Sequence, residues 1–203
     1  MCGRFYVPEE DIDDFAGLVN KIEKELLKKA GEIFPGNYAP VITPKHTSNS
    51  NTNNVHAIKW GFPGFKGKPV INARSETVRN KPMFMLPFLK RRCLIPARGF
   101  YEWKSTENSQ KRIKHIISLF DSGMMYLAGI YWFFKDREGS RTPCFVILTT
   151  QANEDIKEIH DRMPVIIKDK DKDAWLSENS DINTIETLLK PLDKGLLKIQ
   201  VSD

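Results

Sequence analysis

The stretch that organises this chain is Arg92-Cys93-Leu94-Ile95-Pro96-Ala97-Arg98-Gly99-Phe100-Tyr101-Glu102-Trp103. It contains two short runs of largely apolar residues, and the Arg98-Gly99 pair separates them. Short apolar runs bounded by Gly, Pro or charged residues are typical of strands. The stretch therefore predicts two strands, at 92–97 and 99–103.

Similar short runs recur on both sides of this stretch. They predict strands at 55–60, 69–74, 113–120, 125–132, 143–150, 164–167 and 196–201. Helical spacing predicts helices at 9–27, 82–91, 151–159, 169–177 and 181–189, and the polar segment 45–54 predicts a loop. The regular strand–helix alternation of a parallel sheet is missing. We therefore expect an α+β fold with a curved, mostly antiparallel β-sheet or barrel and peripheral helices.

Composition limits the class of protein. The chain has 203 residues, of which 40% are hydrophobic, so we expect a single domain over 1–203 with a continuous core. No apolar run approaches the ~20 residues of a membrane span, and the first twenty residues lack the layout of a signal peptide. We therefore expect a cytoplasmic protein without a membrane partner. The formal net charge of +5 favours an anionic partner.

The cysteines and histidines do not have the spacing of a metal site. Cys2, Cys93 and Cys144 form no CxxC pair, and the chain has only 4 histidines. A structural zinc site is therefore not expected, and we predict neither a metal nor a cofactor. Cys93 and Cys144 lie in strand-like runs, which predicts buried and unreactive thiols.

Cys2 is different because it directly follows the initiator methionine. Removal of Met1 would leave a cysteine with a free α-amine beside its thiol. The amine can condense with an aldehyde to a Schiff base, and the thiol can then close a five-membered thiazolidine ring. The alternative is that position 2 merely tolerates a small residue.

Three further polar residues each allow more than one interpretation. Glu102 on a strand faces away from its aromatic neighbours, so it is either a desolvated proton donor or an outward, solvated carboxylate. His160 could shuttle protons, cap the preceding helix or pair with Asp161. Asn72 could serve a site or bond to backbone in a turn.

Taken together, the unusual segments are more specific than any one of them. They are the MCGRF start, Tyr38-Ala39-Pro40, Trp60-Gly61, INARSET at 71–77, RCLIPARGFYEW at 92–103, the Leu-Thr-Thr of 148–150 and IHDRMPV at 159–165. In this order they resemble the SOS response-associated peptidase (SRAP) family of abasic-site processing proteins. The resemblance extends from residue 2 to about residue 201.

The resemblance implies a role for each matching residue. Cys2, once Met1 is removed, would form a covalent thiazolidine with the ring-opened sugar of an abasic site in single-stranded DNA. Asn72 would hold the terminal cysteine, Glu102 would move protons, and His160 would stabilise the oxygen that leaves the sugar ring. The family also implies a peptidase-like self-processing step within a DNA-damage or SOS response. If the thiazolidine ring does not close, the same imine could undergo β-elimination and cleave the strand, which would be an abasic-site lyase activity.

DNA contacts are expected next to these residues. Arg4, Arg74 and Arg162 each lie within two residues of a proposed catalytic group, as phosphate clamps would require. Trp60 and Trp103, with Pro40, could stack on bases that flank the lesion, although a core position is the alternative for each tryptophan. Arg79 or Lys81 could supply the further basic residue that the family carries after INARSET.

The leading hypothesis is thus a monomeric protein that captures abasic sites in single-stranded DNA. A second hypothesis is a thiol peptidase that acts on other proteins, with Cys2 as nucleophile and His160 as base. A third is a non-catalytic reader of single-stranded nucleic acid, in which Cys2 is incidental.

Overall fold

The fold is described from a computed structural model, which covers residues 2–19, 21–27, 30–44, 54–106, 109–135 and 139–202. The predicted polar loop 45–54 lies outside this part of the chain, except for Asn54. Within these ranges no helix is long and apolar enough to cross a bilayer.

The described residues form five α-helices and a larger number of strands. The helices are α1 (Glu9–Ala16), α2 (Lys21–Leu26), α3 (Pro82–Lys90), α4 (Lys172–Leu176) and α5 (Ile182–Thr187). The strands are β1 (Phe5–Val7), β2 (Gly31–Ile33), β3 (Tyr38–Thr43), β4 (Asn54–Trp60), β5 (Asn72–Arg74), β6 (Arg92–Ala97), β7 (Gly99–Thr106), β8 (Ser109–Leu119), β9 (Met125–Lys135), β10 (Arg141–Gln151), β11 (Arg162–Pro164), β12 (Ile166–Ile167) and β13 (Leu197–Val201).

The strands form two sheets, one of which closes on itself. Strands β10, β4, β3, β6 and β9 follow one another, and pairing of β9 with β10 completes a barrel. Strands β5, β11 and β12 extend the barrel at its margins, while β13, β8, β7, β1 and β2 form the second sheet. Only the pairings of β10 with β4 and with β5 are parallel among those described. The expected α+β fold with a mostly antiparallel barrel is confirmed.

Strand β6 is buried along its whole length because both of its faces are covered. Cys93, Ile95 and Ala97 belong to one core cluster with Phe5 and Phe100 of the second sheet. On the other face, Leu94 packs in a cluster with Phe88 of α3 and Trp175 of α4. A strand covered on both faces needs apolar residues at successive positions, which explains the run without alternation.

Most predicted elements are present, but the prediction of a helix at 151–159 was wrong. This segment ends β10 and continues as turns. The Oδ1 atom of Asn153 accepts the N–H groups of Asp155 and Ile156, and its Nδ2 donates to Leu192 O. An asparagine that satisfies backbone groups in this way competes with helix formation.

Two other differences concern the first forty residues. The predicted helix 9–27 is divided into α1 and α2, and Gly17 follows the end of α1. Strands β1, β2 and β3 were not predicted. Strands β1 and β2 have only three residues each, too few for a periodic pattern to be recognised.

Candidate active site

The four residues predicted to be catalytic lie together where the second sheet meets the barrel. Cys2 precedes β1, Asn72 begins β5, Glu102 lies on β7, and His160 precedes β11. Asn72 Nδ2 donates to the carbonyl oxygen of Cys2 at 2.9 Å, and His160 Nε2 lies 4.0 Å from Glu102 Oε2. Residues separated by up to about 160 positions are thus brought to one place by strand pairing.

Glu102 occupies an inward position of β7. Its register partner on β8 is His115, and its side chain is buried at the edge of the site. Burial raises the pKa of Glu102 above its ordinary value because the carboxylate loses hydration. Of the two interpretations of Glu102, the structure favours the desolvated group over the outward, solvated carboxylate.

Cys2 is fully buried in this chain, in which Met1 precedes it. Its Sγ lies 3.8 Å from the carbonyl oxygen of Arg4, to which the thiol donates. Burial, followed by the nearby charge of Glu102, raises the pKa of the Cys2 thiol far above its ordinary value. The thiol is therefore protonated, and the nitrogen of Cys2 is a peptide amide, so neither nucleophile is active in this form.

His160 is partly exposed and contacts its own neighbours through Nδ1. This atom lies 2.7 Å from Asp161 Oδ1 and accepts the backbone N–H of Arg162 at 3.0 Å. Burial lowers the pKa of His160, so the neutral ring is favoured near pH 7. The segment before His160 consists of turns, so of the alternatives from sequence, pairing with Asp161 is observed and capping of a helix is not.

Asn72 is positioned by the parallel pairing of β5 with β10, where it is the register partner of Ile147. Its Nδ2 holds Cys2, while its buried Oδ1 has no hydrogen-bond partner among the described residues. A buried carbonyl oxygen without a donor is costly, so Asn72 can accept one more hydrogen bond at the site.

Arg4 lies between Cys2 and β1 and is partly exposed. Its guanidinium lies 4.2 Å from the ring centre of Phe34 and 4.9 Å from that of Trp103. Glu32 pairs with Arg4 at 2.8 Å and with Lys114 at 2.5 Å. Trp103 is half-buried and keeps part of its ring accessible beside this cation.

The other two predicted phosphate clamps differ in accessibility. Arg74 is exposed at the end of β5, whereas Arg162 is buried. The Arg162 guanidinium forms a two-pronged ion pair with Glu76, with N–O distances of 2.5 and 2.9 Å, and donates to Thr149 O at 2.7 Å. Arg74 and Arg162 line one surface depression together with Lys157.

The expectation that Trp60 and Pro40 stack on bases is corrected by the structure. Trp60 is fully buried, donates from Nε1 to Ile71 O at 3.0 Å and packs against Phe145 with parallel rings. Pro40 is buried on β3 opposite Ala57. Trp60 packs in the core cluster that also contains Phe5 of the second sheet, and Pro40 is buried in the barrel wall.

Several residues around the site were not singled out from sequence. Glu76 and Glu32 hold Arg162 and Arg4, respectively, and Phe34 packs on Arg4. Glu76 had a usable signal, because it follows Arg74 by two positions in the INARSET segment. Of the two basic residues considered after INARSET, Arg79 is paired with Glu186 at 2.6 Å.

Within the described ranges, no three His, Cys, Asp or Glu side chains gather into a group that could hold a metal ion. A carboxyl group with a raised pKa and an imidazole with a lowered pKa lie 4.0 Å apart near Cys2, and this arrangement is suited to proton transfer.

Comparison with known proteins places the chain in a family. The model for the SOS response associated peptidase (SRAP) family matches residues 1–203. The abasic site processing protein YoqW of Bacillus subtilis is 36% identical over 202 residues, which cover 95% of this chain and 88% of YoqW. The abasic site processing protein YedK of Escherichia coli is 29% identical over 181 residues, covering 88% of this chain and 80% of YedK.

A solved structure of a protein from Bacteroides thetaiotaomicron has the same fold. It superposes with a TM-score of 0.81 at 24% identity and covers 98% of this chain and 91% of its own. The family model and the alignment with YoqW both match nearly the whole chain. This chain therefore belongs to the SOS response associated peptidase (SRAP) family.

Proposed function

We propose that this protein captures abasic sites in single-stranded DNA by a covalent bond to Cys2, after Met1 has been removed. The observation that carries the proposal is the convergence of Asn72, Glu102 and His160 on the terminal cysteine. The proposal is also supported by YoqW and YedK, which are both named abasic site processing proteins.

The first step is opening of the abasic sugar, whose closed form is a hemiacetal. Glu102, as the carboxylate, takes the proton of the C1′ hydroxyl group. The C1′ carbonyl forms as the C1′–O4′ bond breaks, and O4′ takes a proton from His160 Nε2. A carboxyl group whose pKa is raised by burial is suited to exchange protons near neutral pH.

The second step is capture of the aldehyde. The α-amine of Cys2 adds to C1′, and Glu102 returns its proton to the C1′ oxygen. This oxygen leaves as water with one of the two amine protons, and the other amine proton returns to His160 Nε2, which leaves a neutral imine. The Cys2 thiol then adds to the C=N bond, and its proton passes to nitrogen to give the thiazolidine ring. Asn72 holds the carbonyl group of Cys2 through these steps and keeps both nucleophiles near C1′.

Removal of Met1 controls entry to this chemistry. The amide nitrogen of Cys2 in the longer chain cannot form an imine, so the Met1-bearing protein is a precursor. Removal proceeds either by an aminopeptidase or by a peptidase-like step within the same pocket. If the thiazolidine does not close, the imine can undergo β-elimination, which would cleave the strand as a lyase does.

Recognition of the lesion does not require reading of a base. An abasic site has no Watson–Crick edge, so the protein must hold the backbone and test for a reactive carbonyl. Arg74 is exposed beside Asn72 and is suited to a phosphate, and Trp103 is suited to stack on a flanking base. The Arg4 guanidinium contacts the Trp103 ring by a cation–π interaction and helps to fix its position.

The other hypotheses receive less support from the geometry. A cysteine peptidase needs its thiolate next to an imidazole, but the Cys2 thiol donates to Arg4 O and its raised pKa disfavours the thiolate. A non-catalytic reader gains nothing from a buried Glu102, because burial of a carboxyl group is costly.

The test uses protein freed of Met1, verified by intact mass spectrometry. It is incubated with a single-stranded oligonucleotide that carries one abasic site and is then run on a denaturing gel. We expect a heat-stable shifted band that is absent with Cys2→Ala and with an intact oligonucleotide. Tight binding without a covalent band would favour the reader, and cleavage of unrelated peptides without a DNA adduct would favour the peptidase.

A further inference from the structure

The Nδ1 atom of His160 has two partners that make opposite demands. The backbone N–H of Arg162 points at this atom from 3.0 Å and requires a lone pair there. The Oδ1 atom of Asp161 lies 2.7 Å from the same atom and requires a proton there. One ring nitrogen cannot satisfy both at once.

The two partners therefore favour different forms of the ring. With a lone pair on Nδ1, His160 accepts from Arg162, its proton sits on Nε2, and the Asp161 carboxylate faces a lone pair. With a proton on Nδ1, His160 donates to Asp161 and gives up the bond from Arg162. Which form predominates is set by the hydrogen bond made at Nδ1.

We propose that Asp161 is a positioning residue that stabilises the Nδ1-protonated form of His160 when the site acts on an abasic sugar. This inference rests on the proposed function, in which His160 Nε2 gives a proton to O4′. The acid in that step is the doubly protonated ring. Loss of its Nε2 proton leaves a neutral ring with the proton on Nδ1, which is the form that donates to Asp161.

The charges around His160 explain why such a partner is needed. Burial lowers the pKa of His160, and the positive charge of the Arg162 guanidinium acts in the same direction. Asp161 opposes them and raises the pKa, while Glu102 faces Nε2 from β7 at 4.0 Å. Without Asp161, the cationic acid would be scarcer near pH 7.

The position of Asp161 allows an effect on His160 to be distinguished from a general loss of structure. Its side chain is 84% exposed, and it lines the depression that also holds Arg74 and Lys157. An exposed carboxylate beside a phosphate-binding surface repels DNA. Removing its charge should therefore maintain or tighten DNA binding while it slows the reaction, whereas a folding defect would weaken both.

The test compares Asp161→Asn with Glu158→Gln in Met1-free protein. Glu158 is an exposed acid three positions before Asp161, so its variant removes the same charge close by in the chain. We expect Asp161→Asn to reduce the crosslinking rate at pH 7 about tenfold, equivalent to one unit of pKa, with equal or tighter DNA binding. Glu158→Gln should keep the parental rate.

A second measurement does not depend on crosslinking. Nitrogen-15 NMR of the histidine rings without DNA, assigned with His160→Gln, reports both the tautomer and the pKa of His160. We expect a lower pKa and less Nδ1 protonation in Asp161→Asn than in the parent. Unchanged ring signals, or equal rate losses in both variants, would overturn the inference. If the parent forms no adduct, the proposed function fails, and the NMR result still decides the coupling of Asp161 to His160.

Discussion

Cys2 and Cys93 are equally buried but occupy opposite kinds of surroundings. Both side chains are inaccessible to solvent, and burial raises the pKa of both thiols. Cys93 lies in the barrel wall, where a side chain on Gly129 would meet its Sγ. Cys2 instead lies beside Asn72 and Glu102, at the meeting of the two sheets.

Burial alone therefore does not distinguish Cys2, the cysteine proposed to react, from Cys93, which only packs. The barrel wall offers Cys93 apolar packing, which stabilises the fold and has no further use. Cys2 instead lies near the buried carboxyl group of Glu102, and burial of a carboxyl group lowers the stability of the fold. Local features that conflict with stability are expected where a protein performs chemistry.

The largest effect is expected on formation of the covalent adduct, when each of the two cysteines is replaced by alanine. Cys2→Ala should abolish the heat-stable adduct with abasic DNA, because the α-amine without a thiol cannot close the thiazolidine ring. Cys93→Ala should keep the adduct and lose only packing. A denaturing gel measures the first effect and thermal unfolding the second; an adduct of equal heat stability in Cys2→Ala would break the comparison.

The next effect concerns the carboxyl group that distinguishes the two surroundings. Glu102→Gln keeps the size of the side chain but cannot exchange a proton. We expect crosslinking to slow by roughly 10²–10⁴-fold, the usual contribution of general acid–base catalysis. DNA affinity, measured separately by fluorescence anisotropy, should stay within about twofold of the parental value. Equal crosslinking rates would remove Glu102 from the mechanism.

The same substitution should change the pH dependence of stability. Because the pKa of Glu102 is raised in the folded state, its contribution to stability is present at pH values below its unfolded pKa and is lost as the pH rises through the folded pKa. Glutamine does not ionise, so the Glu102→Gln protein does not lose this stability as the pH rises. The Tm of Glu102→Gln minus the Tm of the parent should therefore increase by a few degrees from pH 4 to pH 8. Parallel Tm curves would contradict the assigned burial.

The smallest effects are expected on DNA affinity and on Tm, when Arg74 or Arg162 is replaced by alanine. Arg74→Ala should weaken DNA binding a few-fold and reduce the slope of log affinity against log salt by about 0.7, as expected for one lost phosphate contact. Thermal stability should be unchanged, because Arg74 is exposed. Arg162→Ala should instead lower Tm, since it removes the partner of Glu76 and the donor to Thr149. An unchanged salt slope in Arg74→Ala would exclude a phosphate contact there.

The sequence predicted elements well where both faces of a strand are buried. Strands β6 and β9 begin where they were expected, because long apolar runs leave few alternatives. Strand β1 could not be recognised, because its three residues are stabilised by pairing with distant β2 and β7. The prediction of a helix at 151–159 failed because hydrophobic periodicity does not report the hydrogen bonds of the Asn153 side chain to the backbone.

The site was predictable in its composition and less so in its geometry. Cys2, Asn72, Glu102 and His160 could be named from motifs, but the direction of Glu102 depended on which face of β7 is covered. Trp60 was placed wrongly, because the sequence around a tryptophan does not show whether its side chain lies in the core or at a binding surface. The partners of Arg4 and Arg162 come from distant segments, so no local pattern reveals them.

The separation of the site residues along the chain also has a consequence for biosynthesis. His160 is joined to the nascent chain about 160 residues after Cys2. At about 5–20 residues per second, this interval lasts roughly 8–30 s. During that time strand β10 and the turn before β11 do not yet exist, so the amino terminus has no finished pocket to enter. Under the proposed function, if an aminopeptidase removes Met1, this interval is the period in which it can act before the pocket forms.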